Sequence, residues 1–123
     1  MRALVVDDSR VVRLAVGRIL ASLGYSVSEA PNGQLALAML NDSAPFDVAM
    51  VDWNMPVMDG LTLLLAIQAG GAPPPRHIVM VTTENDPIQI QRALDAGASE
   101  YVMKPFTREV IQDKLALLRM GGS

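Results

Sequence analysis

The fold of this chain is decided by the stretch FDVAMVDWNMPVMDG at residues 46–60. An apolar run of strand length, interrupted by a single aspartate, stops at Asp52 and gives way to loop residues. Asp52 therefore stands at the carboxyl end of a predicted strand, the edge at which open α/β sheets bind ligands because their loops diverge there. The run ALVV at residues 3–6 likewise ends on Asp7 and Asp8, so three carboxylates converge if the two strands are neighbours.

Length and composition predict one globular domain with a substantial core. The chain has 123 residues, of which 50% are hydrophobic and 19% charged. We assign residues 1–120 to this domain and residues 121–123, Gly-Gly-Ser, to a disordered tail. The absence of cysteine excludes disulfides and thiolate metal sites, and it suits a reducing cytoplasm, which is the predicted location.

Charge and hydropathy exclude two classes of partner. A net charge of −3, with one Trp, two Tyr and two Phe, offers neither the basic surface nor the stacking side chains that nucleic acids require. The apolar run at the N-terminus is too short for a signal peptide, and no other segment is apolar enough to span a bilayer. We expect a monomer that binds neither nucleic acid nor membrane.

Strand and helix signals alternate five times along the chain. The predicted strands occupy residues 3–6, 25–29, 46–51, 78–81 and 100–103. The predicted helices run from a Ser9 cap to Gly24, from Leu35 to about Asn41, from Leu61 to Ala69, from Pro87 after an Asp86 cap to Ala96, and onward from a Thr107 cap. Such alternation favours a parallel sheet with helices on both faces.

Polar residues follow four of the five strands, and together they suggest phosphoryl chemistry. Besides the three aspartates, Thr82 follows the fourth strand and Lys104 the fifth. Clustered carboxylates repel each other unless a counter-charge is present, and Mg²⁺ prefers such oxygen ligands. Lys104 can pair with Asp52 or with a bound phosphoryl group, and the Thr82 hydroxyl can donate a hydrogen bond to the oxygens of that phosphoryl group. The pattern indicates that Asp52 attacks phosphorus to form an aspartyl-phosphate.

Five motifs, spread over almost the whole chain, resemble the receiver domain of two-component response regulators, and in particular its stand-alone CheY-like members. They are VVDDSR at 5–10, VDWNMPVMDG at 51–60, MVT at 80–82, AGA at 96–98 and YVMKPFT at 101–107. The resemblance implies a flavodoxin-like, doubly wound (βα)5 fold with strand order 2-1-3-4-5. It also implies a signalling protein that catalyses its own phosphorylation and dephosphorylation and is not otherwise an enzyme.

The resemblance also implies a magnesium site. Asp8 and Asp52 would bind Mg²⁺ directly, the carbonyl of Asn54 would be a third ligand, and Asp7 would hold a metal-bound water. Asp52 would be the phospho-acceptor, with a sensor histidine kinase or a histidine phosphotransfer protein as donor.

The family resemblance also implies which residues contact the phosphoryl group. Thr82 would hydrogen-bond it and Lys104 would pair with it. The peptide before Pro105 would be cis, and Thr82 would move together with the ring of Tyr101.

The fourth helix suggests an output face. Ile88 and Ile90 lie about 200° apart around the helix, so both cannot face the core. We assign Ile90, with Tyr101, to an apolar surface formed by helix four, strand five and helix five, where a downstream protein effector would bind. The family suggests chemotaxis and the flagellar motor switch as its setting.

Other functions remain open at this stage. A phosphate sink or phosphorelay intermediate without an effector would need the same site. A haloacid dehalogenase-type phosphatase also uses an aspartate nucleophile and Mg²⁺. That family, however, has an Asp-x-Asp motif after its first strand, where this chain has Asp52-Trp53-Asn54, and it needs a cap domain, for which no residues remain. A flavin-binding module is disfavoured, because residues 8–11, DSRV, are acidic and lack the small hydroxyl residues that would cradle a flavin phosphate.

Several conspicuous residues have ordinary structural interpretations. The single histidine, His77, follows three prolines at the entry of a strand and has no partner pattern for a metal site or a phosphohistidine relay. Trp53 is interpreted as a packing residue. Arg10, Arg13 and Arg18 are interpreted as the solvent face of the first helix, with kinase or anion docking as the alternative.

Overall fold

The computed structural model describes residues 1–42 and 45–120, and strands and helices alternate strictly along these ranges. The strands are β1 (Arg2–Val6), β2 (Ser26–Ala30), β3 (Val48–Val51), β4 (His77–Thr82) and β5 (Glu100–Met103). The helices are α1 (Arg10–Ser22), α2 (Gly33–Asp42), α3 (Gly60–Gln68), α4 (Pro87–Asp95) and α5 (Arg108–Met120).

All strands pair in parallel in one sheet of order β2-β1-β3-β4-β5. This confirms the predicted doubly wound, flavodoxin-like arrangement, with β2 at an edge. The register sets the strand ends level with each other, since Val6 pairs with Val51, and Thr82 pairs with Met103. The residues that directly follow β1 and β3 therefore emerge side by side from the same edge of the sheet.

Each face of the sheet has its own apolar core. Leu4 and Val6 of β1 point into a core shared with α2, α3 and α4. Ala3 and Val5 point to the opposite face, where α1 contributes Leu20 and α5 contributes further side chains. Burial on both faces explains why β1, β3 and β4 are nearly continuous apolar runs in the sequence.

Helix starts follow the predicted capping residues. The Ser9 hydroxyl accepts from the Val12 N–H at 3.3 Å, and the Asp86 carboxylate accepts from the Ile88 N–H at 2.9 Å. The Thr107 hydroxyl accepts from the Val110 N–H at 3.2 Å. Gly24 follows the end of α1 at φ 97°, a left-handed conformation that glycine adopts without steric cost.

Two element starts differ from the prediction by two residues, and each of these differences has a local cause; the other starts agree to within one residue. Helix α2 begins at Gly33, two residues before the predicted Leu35, because the Asn32 side chain caps the helix by accepting from the Leu35 N–H at 2.9 Å. Strand β3 begins at Val48 because the Asp47 carboxylate takes the Arg2 N–H at 2.6 Å, in place of a backbone carbonyl.

The predicted tail at 121–123 lies outside the described residues, as do residues 43–44 after α2. Among the helices of the described ranges, none combines the length and apolarity that crossing a membrane requires.

Candidate functional site

The candidate site lies at the carboxyl edge of the sheet, where β1 and β3 end. The Asp52 N–H donates to the Val6 carbonyl at 2.8 Å, which continues the ladder between these strands by one residue. Carboxylate oxygens of Asp7, Asp8 and Asp52 all lie within 4.8 Å of one another. Asp7 and Asp52 are buried, whereas Asp8 is exposed, so the cluster opens to solvent on the side of Asp8.

Lys104 links this cluster to β5. Its Nζ lies 2.9 Å from Asp7 Oδ2 and 3.3 Å from Asp52 Oδ1. The Lys104 N–H donates to the Thr82 carbonyl at 2.8 Å, which fixes the start of the loop after β5. The following Lys104–Pro105 peptide is cis, as the family resemblance implies. Residues 97 positions apart in sequence thus form one ion-paired group.

The electrostatics of the cluster are unbalanced. Burial and the neighbouring charge of Asp7 raise the pKa of Asp52, and Lys104 offsets this only in part. Burial by itself would lower the pKa of Lys104, but its hydrogen bond to Asp7 and the charge of Asp52 outweigh burial and raise it. Three carboxylates and one ammonium leave a net negative pocket, which is the setting that a divalent cation stabilises.

Thr82 closes β4, the strand next to β3, and its side chain is buried. Its hydroxyl oxygen accepts from the Glu84 N–H at 3.0 Å. This hydrogen bond uses the oxygen as an acceptor, so the hydroxyl proton is still available for donation. Asn54 is exposed on the loop after β3, on the same side of the sheet as the acid cluster.

Gly60 is a site residue that the sequence interpretation missed. A Cβ at this position would collide with the Asp52 carbonyl oxygen and would stand 3.0 Å from the Trp53 Cα. The Gly60 N–H donates to the Trp53 carbonyl at 2.8 Å, which folds the loop back onto the strand end. The glycine that follows the Asp59 cap was the available sequence signal.

Arg13 differs from its predicted role as one of three solvent-facing arginines. Arg10 and Arg18 are exposed, but the Arg13 side chain is only 15% exposed. It donates to the Asp7 carbonyl at 2.7 Å and pairs with Glu29 at 3.1 Å. The first helix therefore contributes a fixed cation beside the acid cluster, which periodicity alone did not reveal.

The predicted output residues lie on β5 and α4 and do not belong to the acid cluster. The Tyr101 ring is half-buried, and the Lys114 ammonium lies 5.6 Å from its centroid. On α4, Ile88 is the exposed isoleucine at 72%, whereas Ile90 is half-buried. Ile90 precedes the buried Ala93 by one helical turn and so shares its inward face, which makes Ile88 the solvent-facing member of the pair.

His77 and Trp53 have the structural settings that were predicted for them. His77 opens β4 at the amino edge of the sheet, opposite the acid cluster. Burial and the charge of Arg76 lower its pKa. Trp53 is half-buried and packs against the core that α2, α3 and α4 share.

Comparison with known proteins places these features in a family. The family model described as the response regulator receiver domain matches residues 3–116. Chemotaxis protein CheY1 of Helicobacter pylori is 40% identical over 119 residues, which are 96% of this chain and 96% of that protein. Chemotaxis protein CheY of Pseudomonas aeruginosa is 40% identical over 116 residues, covering 94% of this chain and 93% of that protein.

Solved structures agree with the sequence relatives. The structure of Vibrio cholerae chemotaxis protein CheY4 is similar with a TM-score of 0.86 and 36% identity, covering 95% of this chain and 97% of that one. Fold and sequence similarity therefore extend over nearly the full lengths of both chains.

Proposed function

Because the chain belongs to the response regulator receiver domain family, we propose that Asp52 accepts a phosphoryl group from a histidine kinase or a histidine phosphotransfer protein and that this changes the binding of a downstream protein. The observation that carries the proposal is the position of the Lys104 ammonium, within 3.3 Å of Asp52 and 2.9 Å of Asp7, at the rim of an acid cluster. This arrangement offers a nucleophile, a place for a metal ion and a fixed cation in one pocket.

The acid cluster fits Mg²⁺. Its donors are hard carboxylate oxygens within 4.8 Å of one another, and three carboxylates so close together favour a divalent cation between them. Asp8 and Asp52 would hold the ion directly with the Asn54 carbonyl, and Asp7 would hold it through water. When bound, Mg²⁺ supplies positive charge to the oxygens of the transferring phosphoryl group.

The proposed transfer step uses these side chains in one displacement at phosphorus. A carboxylate oxygen of Asp52 attacks phosphorus, an O–P bond forms, and the N–P bond of the donor phosphohistidine breaks with its electron pair remaining on the imidazole. Lys104 stays protonated at neutral pH, since its pKa is raised by Asp7 and Asp52 against the effect of burial. Its charge can therefore move from Asp52 to a phosphoryl oxygen without any proton transfer.

A chain of hydrogen bonds gives this phosphoryl group a route to α4. Glu84 N–H donates to Thr82 Oγ1 at 3.0 Å, and Asp86 N–H donates to the Glu84 carboxylate at 3.0 Å. Asp86 in turn caps α4 by accepting from the Ile88 N–H. If a change of the Thr82 side-chain rotamer carries its hydroxyl toward the phosphoryl group, Oγ1 moves away from the Glu84 N–H, and the loop before Ile88 would rearrange.

The face read by the partner is proposed to comprise Tyr101 on β5, with Ile88 and Ile90 on α4. An effector-binding switch needs such a partner-binding face, whereas a phosphate sink does not. Ile88 on this proposed face is 72% exposed. The similarity to chemotaxis proteins suggests a flagellar motor switch protein as this partner. These considerations support a cytoplasmic, Mg²⁺-dependent phosphoprotein.

The proposal is tested by incubating the protein with acetyl phosphate and Mg²⁺ and measuring phosphorylation by intact-protein mass. Wild type should gain one phosphoryl group, and Asp52→Asn should gain none, because an amide is not a nucleophile at this position. The matched control is Asp47→Asn, an aspartate five residues earlier at the other end of β3, which should be labelled like wild type. Equal labelling of Asp52→Asn would remove the central assignment.

Removing the metal separates the role of Mg²⁺ from that of Asp52. A chelator should reduce labelling of wild type by at least about 100-fold, since charge stabilisation is the main contribution a protein makes to phosphoryl transfer. Undiminished labelling in the chelator would show that the acid cluster works without a divalent ion.

Switch and sink are distinguished by Tyr101→Ala. This variant should be labelled at nearly the wild-type rate, because Tyr101 lies outside the acid cluster, but it should bind the phosphorylation-dependent partner less tightly. Pull-downs with phosphorylated and unphosphorylated protein give the comparison, and a protein that captures the same partners in both states would be a sink.

A further inference from the structure

Every polar group of Asp7 has a partner. Its N–H donates to the Ala30 carbonyl at 3.1 Å, and its Oδ1 accepts from the Ser9 N–H at 2.8 Å. Its Oδ2 accepts from Lys104 at 2.9 Å, and its carbonyl oxygen accepts from Arg13 at 2.7 Å. Asp7 is thus a fixed residue, and the exposed Asp8 is attached to it through the carbonyl that Arg13 holds.

Arg13 is itself held at a second point. Its Nε donates to Glu29 on the edge strand β2 at 3.1 Å, while its Nη1 donates to Asp7. Glu29 pairs in register with Val5 of β1, two residues before Asp7. The guanidinium is planar and presents its donors in a fixed fork, so two simultaneous acceptors determine its orientation. The Arg13 side chain, which belongs to α1, therefore links β2 to the end of β1.

We propose that Arg13 is a positioning residue of the magnesium site: by holding the Asp7 carbonyl, it fixes the peptide between Asp7 and Asp8 and so sets where the Asp8 carboxylate stands relative to Asp52. The inference rests on the proposed function, because it concerns the affinity of the same acid cluster for Mg²⁺. Arg13 neither binds the ion nor touches the phosphoryl group.

A positioning role and a simple charge effect predict opposite results. Arg13 is a cation beside an acidic pocket, so removing its charge should strengthen Mg²⁺ binding if electrostatics alone acted. If its hydrogen bond to Asp7 orients Asp8, removing it should weaken Mg²⁺ binding despite the favourable change in charge. Loss of a group that orients metal ligands typically costs 10- to 100-fold in affinity.

The test is a Mg²⁺ titration followed by the fluorescence of Trp53, the only tryptophan, which directly follows Asp52. The rise in melting temperature at fixed Mg²⁺ gives a second readout that does not depend on phosphorylation. Arg13→Met should bind Mg²⁺ about 10-fold more weakly than wild type. Arg10→Met is the matched control: it removes an exposed arginine three residues earlier on the same helix and should bind as tightly as wild type or slightly more tightly.

Two further variants keep the test decisive if Arg13→Met folds poorly. Arg13→Lys retains the charge but cannot present the fork to Asp7 and Glu29 together, so its affinity should fall between those of wild type and Arg13→Met. Glu29→Gln leaves Arg13 in place but weakens its anchor, so its loss of Mg²⁺ affinity should be smaller than the about 10-fold loss expected of Arg13→Met.

The outcomes separate the two proposals. Mg²⁺ binding by Arg13→Met or Arg13→Lys that equals or exceeds wild type would overturn the positioning role and leave the proposed function intact. Failure of wild type to show any Mg²⁺-dependent change in fluorescence or melting temperature would overturn the magnesium site, and the role of Arg13 with it.

Discussion

The two ends of the parallel sheet treat their carboxylates in opposite ways. At the amino end, the Asp47 carboxylate accepts from the Arg2 N–H at 2.6 Å, and the Asp47 N–H donates to the Arg2 carbonyl at 2.8 Å. At the carboxyl end, three aspartates lie together, and the Lys104 ammonium contacts two of them, Asp7 and Asp52. The hydrogen bonds at the amino end satisfy the Asp47 carboxylate. The aspartates at the carboxyl end carry negative charge in excess, so an added cation should stabilise them.

The pKa shifts at the two ends have different consequences for folding. Burial and Asp7 raise the pKa of Asp52, so ionised Asp52 opposes folding at neutral pH. Burial and Arg76 lower the pKa of His77, so protonated His77 opposes folding at acidic pH. At the carboxyl end, Asp52 thus reduces the free energy of unfolding near neutral pH, where it is ionised. At the amino end, His77 reduces it at acidic pH, where it gains a proton.

The largest effect should come from Lys104→Met. Removing one partner of a buried pair leaves the buried Asp7 without its counter-charge, so unfolding free energy at pH 7 without divalent ions should fall by about 3 kcal/mol. Urea denaturation measures the loss, and millimolar Mg²⁺ should recover part of it by supplying the missing charge.

Lys114→Met is the control for Lys104→Met. Lys114 pairs with Glu100 at 3.2 Å, but both side chains are roughly 30% exposed, so this loss should be below about 1 kcal/mol and insensitive to Mg²⁺. Similar losses in the two variants would contradict the idea that the carboxyl end depends on a counter-charge.

An intermediate effect is expected from Asp47→Asn at the amino end. The asparagine keeps an acceptor for the Arg2 N–H but loses the charge that strengthens the bond, so the loss should be about 1 kcal/mol. Asp113→Asn, on the exposed face of α5, should change stability by less than about 0.5 kcal/mol. If Mg²⁺ restored the stability of Asp47→Asn, the dependence on a counter-charge would not be specific to the carboxyl end.

The same distinction explains what the sequence could predict. The parallel sheet and the meeting of Asp7, Asp8, Asp52 and Lys104 at its carboxyl edge follow from local patterns, because parallel strands that end on polar residues present those residues at one edge. The strand order, in contrast, was implied only by the family resemblance. Capping by Ser9 and by Asp86 depends on adjacent residues and was equally readable.

Features that depend on three-dimensional contacts were not readable. The sequence periodicity of α1 gives Arg13 and Arg18 equivalent solvent-facing roles, and the contacts of Arg13 with Glu29 and with the Asp7 carbonyl separate them. The inward face of α4 is set by packing, so pattern alone could not decide between Ile88 and Ile90. The need for glycine at position 60 arises from the path of the chain around Asp52.

A smaller effect of opposite direction should come from Asp52→Asn. Because the pKa of Asp52 is raised in the folded protein, chiefly by burial, its contribution to stability is present below the ordinary value of 3.8 and is lost as pH rises through the folded pKa. The amide carries no charge, so without divalent ions the variant should be more stable than wild type at pH 7. Urea midpoints measured from pH 7 downward should show this gain shrinking, and adding Mg²⁺ at pH 7 should stabilise wild type more than the variant.

The smallest effect should come from His77→Gln, and it tests the amino end alone. The pKa of His77 is lowered by burial and by Arg76, so its contribution to stability is present above the ordinary value of 6.5 and is lost as pH falls through the folded pKa. Glutamine cannot gain a proton, so the stability of the variant relative to wild type should rise as pH falls from 7 toward 3.8, whereas that of Asp52→Asn should fall. Urea midpoints of the three proteins across this range provide the measurement. If the urea midpoints of the two variants, relative to wild type, changed with pH in the same direction, the two ends of the sheet would not differ in whether they favour the protonated or the unprotonated side chain.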